Sequence, residues 1–107
     1  MPIQFQTDPV LTQIGTEIVF TVLTVPQVFT MTWKYRGEVT LGVWTAGVSS
    51  VNPVPQFLGR VTIGATQLRI GNAQLGDAGN YTVEVQPIGT DLSGNARSIQ
   101  LRVFGKR

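Results

Sequence analysis

Six carboxylates, eight lysines and arginines and two tyrosines carry most of the chemistry open to this 107-residue chain, which has neither histidine nor cysteine. Common hydrolytic and transfer sites pair a nucleophile with a neighbouring base or use an activated thiol. Those partners are missing here. The carboxylates Asp8, Glu17, Glu38, Asp77, Glu84 and Asp91 are dispersed, with no cluster or helical spacing. That pattern argues against zinc and offers little to calcium. No glycine-rich phosphate loop is present. The chain is therefore expected to be no enzyme and to need no metal or cofactor. What is left is the chemistry of binding and of covalent decoration. Asn80-Tyr81-Thr82 is a sequon that accepts an N-linked glycan if the chain is secreted. Asparagine at that place is also an ordinary structural choice.

Strands must position these groups. The apolar period is two almost everywhere. Residues 17–23 alternate with Ile18, Phe20 and Val22 on one face, and residues 30–36 with Met31, Trp33 and Tyr35 together. Gly37-Glu38 marks a turn before a strand over 39–45. Short strands follow over 60–63 and 67–70, then 81–88 and 98–104. A single helical turn is expected at 72–76. The segment 46–59 holds Gly47, Pro53 and Pro55, so it reads as loop with room for a short extra edge strand. Many short strands between regular turn signals mean a sandwich or barrel.

Totals limit the partners. The length suits one domain spanning residues 1–107. Charged residues make up 13%, against the usual quarter or so. A surface covered by uncharged polar groups is easier to desolvate, which suits a protein partner. The net charge is only +2, and the one basic cluster is Lys106-Arg107. Nucleic-acid binding needs a concentrated basic stripe, so it is not expected. No run approaches the roughly 18 apolar residues of a spanning helix, so this stretch is not expected to insert into a membrane. Met1-Pro2-Ile3-Gln4-Phe5 does not read as a signal peptide. Absence of cysteine fits a cytosolic module or an extracellular one that has lost its bridge.

Asp77-x-Gly79-x-Tyr81-x-Val83 resembles the Asp-x-Gly-x-Tyr-x-Cys of the E–F corner in immunoglobulin domains, with valine at the last place. The expected fold is all-β: an immunoglobulin-like V-type β-sandwich with Greek-key connections and no inter-sheet disulfide. In such a corner the tyrosine hydroxyl bonds back to upstream backbone. Trp33 follows Val22 at the distance that separates the first cysteine from the core tryptophan in these domains. The resemblance thus implies that Val22 and Val83 face each other across the sandwich against Trp33, with Leu68 and Tyr81 in the same core. Two buried valines contribute ~1.5–3 kcal/mol each, comparable with the ~2–5 kcal/mol that a native bridge is worth. Variable-type domains also pair an arginine and an aspartate at the sandwich base. Arg60 and Asp77 stand at those places, the alternative being two unpaired surface charges.

Within the immunoglobulin group, the chain resembles the N-terminal domain of the carcinoembryonic-antigen-related cell adhesion molecules. The hepatic and glial adhesion molecule and the lymphocyte SLAM/CD2 group are close alternatives. Phe29-x-x-x-Trp33-x-Tyr35-x-Gly37-Glu38 and Gly42-Val43-Trp44-Thr45-Ala46-Gly47 carry the likeness. It implies a cell-surface receptor or adhesion domain, extracellular and part of a membrane-anchored glycoprotein. Its partner would be another immunoglobulin-like domain, or itself as a homodimer. The contact surface would be the sheet of strands G, F, C and C′, through Phe29, Thr32, Lys34, Val39, Glu84 and Gln86. Lys34 stands where the family tends to have an aromatic. Lys34 and Glu84 would pair either across strands or across a dimer axis. On the C′ strand either Trp44 faces out as an anchor, or Val39, Leu41 and Val43 do; Gly42 leaves the parity open. Two further functions stay open: an intracellular structural module of the muscle-filament type, and an immune receptor domain for a foreign ligand.

Overall fold

The computed structural model describes residues 2–105; Met1 and the basic pair Lys106-Arg107 lie outside them. Nine strands run in order: β1 Val10–Gln13, β2 Ile18–Thr21, β3 Phe29–Tyr35, β4 Val39–Thr45, β5 Val48–Val51, β6 Val61–Ile63, β7 Gln67–Ile70, β8 Gly79–Pro87 and β9 Asn95–Phe104. They form two sheets, ordered β1-β9-β8-β3-β4-β5 and β2-β7-β6. The pairs β3–β8, β8–β9, β3–β4 and β2–β7 are antiparallel, whereas β1 joins β9 in parallel. Greek-key order follows from β2, β6 and β7 leaving for the second sheet.

Alternation places the core. In β3 the residues Phe29, Met31, Trp33 and Tyr35 are buried, and Thr30, Thr32 and Lys34 are not. In β8 Tyr81, Val83 and Val85 are buried. Ile18 and Phe20 from β2 and Leu68 and Ile70 from β7 face them. Val22 continues β2 as a buried residue bridged to Phe5. The Phe20 ring is the link between layers. It stacks on Trp33 with ring centres 5.9 Å apart and reaches Tyr81 at 4.8 Å. Tyr81 then meets Tyr35 at 4.9 Å, and Tyr35 meets Phe57 edge-on at 5.1 Å. Pairs of this kind contribute ~0.5–1.5 kcal/mol each beyond the area they bury. This aromatic chain links the two layers, and Val22 and Val83 are buried in the same core.

The base of the sandwich is pinned by Arg60 and Asp77. The guanidinium donates to both carboxylate oxygens, Nη1 to Oδ2 at 2.8 Å and Nη2 to Oδ1 at 2.9 Å. It also donates to the carbonyls of Gln56, Gly71 and Asn72. Asp77 lies in a helical turn, Leu75–Asp77, and accepts the Gln74 backbone N–H at 2.9 Å. Burial alone would push its carboxyl up, but the bonds from Arg60, Gln74 and Gln56 outweigh that and hold it below the usual carboxylate range. Its own carbonyl accepts the Tyr81 hydroxyl at 2.7 Å, which is the tyrosine corner. Desolvation, first, then the nearby Asp77 charge push the Tyr81 phenol far up, so it stays a donor.

Several elements differ from the sequence expectation. The helical turn falls at Leu75–Asp77 rather than 72–76, and a second one, Pro55–Phe57, carries Phe57 into the core. The loop 46–59 does contain an extra edge strand, β5. Strand β1 carries no local strand signal, because its burial inverts polarity: Leu11 is 63% exposed and Thr12 only 6%.

Candidate protein-binding face

One surface of the six-stranded sheet lacks a covering layer. The register puts Thr30, Thr32 and Lys34 of β3 beside Gln86, Glu84 and Thr82 of β8. On the other side of β3 stand Thr45, Val43 and Thr40 of β4. Ser50 of β5 lies opposite Val43, and Ser98 of β9 opposite Thr82. This outer face is therefore built mostly of short, β-branched or hydroxyl side chains. They suit strands, where branching at Cβ packs well on a pleated surface. The Thr82 and Ser98 hydroxyls are bonded at 2.8 Å.

Charge on the outer side of β3, β4, β5 and β8 is confined, among the described residues, to Lys34 and Glu84. The ammonium lies 3.1 Å from Glu84 Oε2, and the side chains are 29% and 46% exposed. The two positions are diagonal neighbours, since Lys34 sits opposite Thr82 and Thr32 opposite Glu84. A pair so placed neutralises itself within one chain. Exposed pairs of this sort contribute only ~0.2–1 kcal/mol.

The structure corrects part of the contact set. Phe29 and Leu41 are buried in the core and cannot meet a partner. Phe29 shares the parity of Met31 and Trp33, the inward one. Leu41 is turned in by a β-bulge: Trp33 pairs with Gly42 and Lys34 with Thr40, which leaves Leu41 as the extra residue. Both Leu41 and Gly42 consequently point inward. Gly42 is needed there because a Cβ would overlap the Ser50 carbonyl oxygen and the Ile63 side chain. After the bulge the parity is reversed, so Val43 faces out while Trp44 turns to the core side, half-buried and packed against it. Trp44 is thus not a projecting anchor. Val39 shares the register of Tyr35, on the core side, and is partly exposed at the strand end. The face brings together Thr32, Lys34, Glu84 and Gln86. It adds Thr30, Thr82 and Ser98, which outward parity on β3, β8 and β9 could have revealed, and Val43, one of the C′-strand alternatives. Asn80, first in the sequon, is exposed on the same side, opposite Gln100.

Comparison with solved structures decides the fold class. Murine CRIg superposes with a TM-score of 0.76 at 16% identity, over 96% of this chain and 97% of that one. Murine CEACAM1b gives 0.75 at 17% identity over 96% of this chain. The first immunoglobulin-like domain of human CD48 antigen gives 0.70 at 21% identity, over 94% of this chain and 85% of that one. This chain folds as a V-type immunoglobulin domain. The V-type domain spans 53% of the CEACAM1b chain. No family model matches it, and no curated protein does. V-type domains of Branchiostoma floridae and of amphioxus share the architecture as well, at 17% and 22% identity. Among the described residues, no group of three or more metal-ligating side chains is gathered, and no helix is long and apolar enough to cross a membrane.

Proposed function

We propose that this V-type domain is a cell-surface recognition module. It binds another immunoglobulin-like domain, a second copy of itself or a related chain, through the outer face of β9, β8, β3 and β4. The observation that carries the reading is the Lys34–Glu84 pair centred in an otherwise uncharged part of that face. A two-fold contact must be complementary to itself. A cation and an anion side by side meet that condition, because each can exchange its partner for the one on the facing copy. The surrounding threonines and serines favour the same use. Ordering a rotamer-rich side chain at an interface costs roughly 0.5–1.5 kcal/mol, and these short side chains have little freedom to lose. The adhesion molecules that the sequence resembles use the same sheet, which supports an extracellular setting on a membrane-anchored parent.

Sedimentation equilibrium tests the proposal. Wild-type protein should associate with rising concentration, and Lys34→Glu or Glu84→Lys should abolish association by placing like charges together. A wild type that stays monomeric at high concentration contradicts the homophilic form. The muscle-filament reading draws on the missing cysteines alone. The V-type strands β4 and β5, added beside β3, favour the recognition reading over it.

A further inference from the structure

Among the described strands, all but β5 bury at least one residue. In β5 every residue from Val48 to Val51 is exposed, Val48 to 69%. This strand forms one edge of the six-stranded sheet and is paired on one side only, to β4. The ladder fixes which groups are left over. Asn52 donates its N–H to the Leu41 carbonyl. Along an antiparallel pair, residues that bond across the ladder alternate with residues that turn away from it. Val48 and Ser50 therefore bond to β4, while Ser49 and Val51 point their N–H and C=O groups outward. Among the described residues, no backbone bond outside the sheet uses those groups.

Natural sheet edges are blunted by charge, proline, a bulge or a covering segment. The edge strand β2 is covered: Gln6 donates to the Thr21 carbonyl, and Leu23 donates to that of Gln4. Strand β5 has no such guard. No residue in 46–59 is charged, and Pro53 and Pro55 lie beyond the strand. From this open edge we infer that β5 is a second self-association site, at which two copies pair strand to strand and join their six-stranded sheets. The chain's own copy is the partner that fits. An antiparallel strand meets its duplicate about a two-fold axis, so each group offered is returned by its mate. Paired residues must both face across the new ladder, which puts the axis through a residue and not between Ser49 and Ser50. An axis through Ser49 would need Gly47 as a strand residue, and its φ of 91° rules that out. An axis through Ser50 sets Ser49 of each copy against Val51 of the other, and each such pair exchanges both its bonds. The uncharged segment offers nothing to repel its duplicate. Strands this short bury little area, and small interfaces are weak. The contact therefore fills in the millimolar range, above the concentrations of a sedimentation run. It goes beyond the outer-face reading, because it uses main-chain groups at the edge and needs neither Lys34 nor Glu84.

Amide exchange followed by NMR on the intact domain reads this edge directly. In dilute protein the Ser49 and Val51 amides should exchange as open backbone. At millimolar protein both should slow, by about tenfold once about nine copies in ten are paired. Lys34→Glu should leave this slowing intact, which separates the edge contact from any failure of the outer-face contact. Ser50→Lys should remove it, since like charges would then stand directly opposite across the axis. Ser49→Pro should remove it at Val51 too, because the N–H it deletes is one that β4 does not use. Ser50→Lys alters only an exposed side chain, so the test stands if the proline disturbs the strand. Exchange already slow in dilute protein, equally fast at both concentrations, or unchanged by Ser50→Lys would overturn the inference.

Discussion

Replacing Asp77 with alanine should be among the most damaging single changes this domain can suffer away from its aromatic core. The carboxylate is fully buried and accepts four hydrogen bonds: two from Arg60, one from the Gln74 backbone and one from Gln56 at 3.2 Å. Without it, the Arg60 guanidinium keeps its place with a side chain 13% exposed and no counter-charge. Removing one partner of a buried pair costs ~3–5 kcal/mol. Total stabilities are ~5–15 kcal/mol, so a large part of the fold's margin would go. With roughly 4 °C or more lost per kcal/mol in a domain near this size, the melting midpoint should fall by at least ~12 °C. Thermal and urea melts followed by circular dichroism measure this. The double variant Arg60→Leu/Asp77→Leu should be less damaged than Asp77→Ala, because neither charge is left stranded. The pH dependence supplies an independent sign. Asp77 titrates lower in the folded protein than in the unfolded chain, where aspartate ionises near about pH 3.9. Its stabilisation is therefore fully present above that value and is lost as pH falls through the folded one. Asp77→Asn should flatten this acid limb. A loss under about 1 kcal/mol, the size of an exposed pair, or strictly additive effects in the double variant, would refute the buried-staple argument.

Other consequences follow from the core and the face. Phe20→Ala should cost ~3–5 kcal/mol in urea unfolding, as for other buried phenylalanines, and more than Val22→Ala, because Phe20 contacts both Trp33 and Tyr81. Tyr81→Phe should lose ~1–3 kcal/mol, since it strands the buried Asp77 carbonyl. Gly42→Ala should destabilise by ~1–3 kcal/mol through overpacking at the bulge, read as a lower denaturant midpoint. Secreted from eukaryotic cells, the protein should carry a glycan on Asn80, seen as a mass increment that Asn80→Gln removes.

Most of the architecture was legible because period-two alternation is strong wherever one face is buried. Residues 30–36 show this: Met31, Trp33 and Tyr35 face inward as their spacing requires. The corner was legible from Asp77, Gly79 and Tyr81, whose types and offsets are dictated by one local geometry. Legibility failed where tertiary context overrode local pattern. Thr12 is buried and Leu11 exposed because β1 is laid onto β9 by parallel pairing, which no local signal encodes. The C′ strand failed for another reason. A bulge shifts parity by one residue, and neither Leu41 nor Trp44 announces which side of the shift it occupies. Of the residues carried over by position, Phe29 is buried and Val39 lies on the core side; Leu41, one of the C′-strand alternatives, is buried too. Phe20 was placed on the correct face, but its role between Trp33 and Tyr81 emerges only when the two sheets are stacked.

Mixing the two charge-reversed chains tests the recognition claim most directly. Lys34→Glu carries two acidic groups on its face, and Glu84→Lys carries two basic ones. Close charge pairs across a desolvated interface can be coupled by ~1.5–7 kcal/mol, so the sign of the charge should govern assembly. Sedimentation of each variant alone should show monomer, and an equimolar mixture should regain a dimer-sized species. A mixture that remains monomeric while the wild type dimerises, or single variants that dimerise as well as the wild type, would contradict the account.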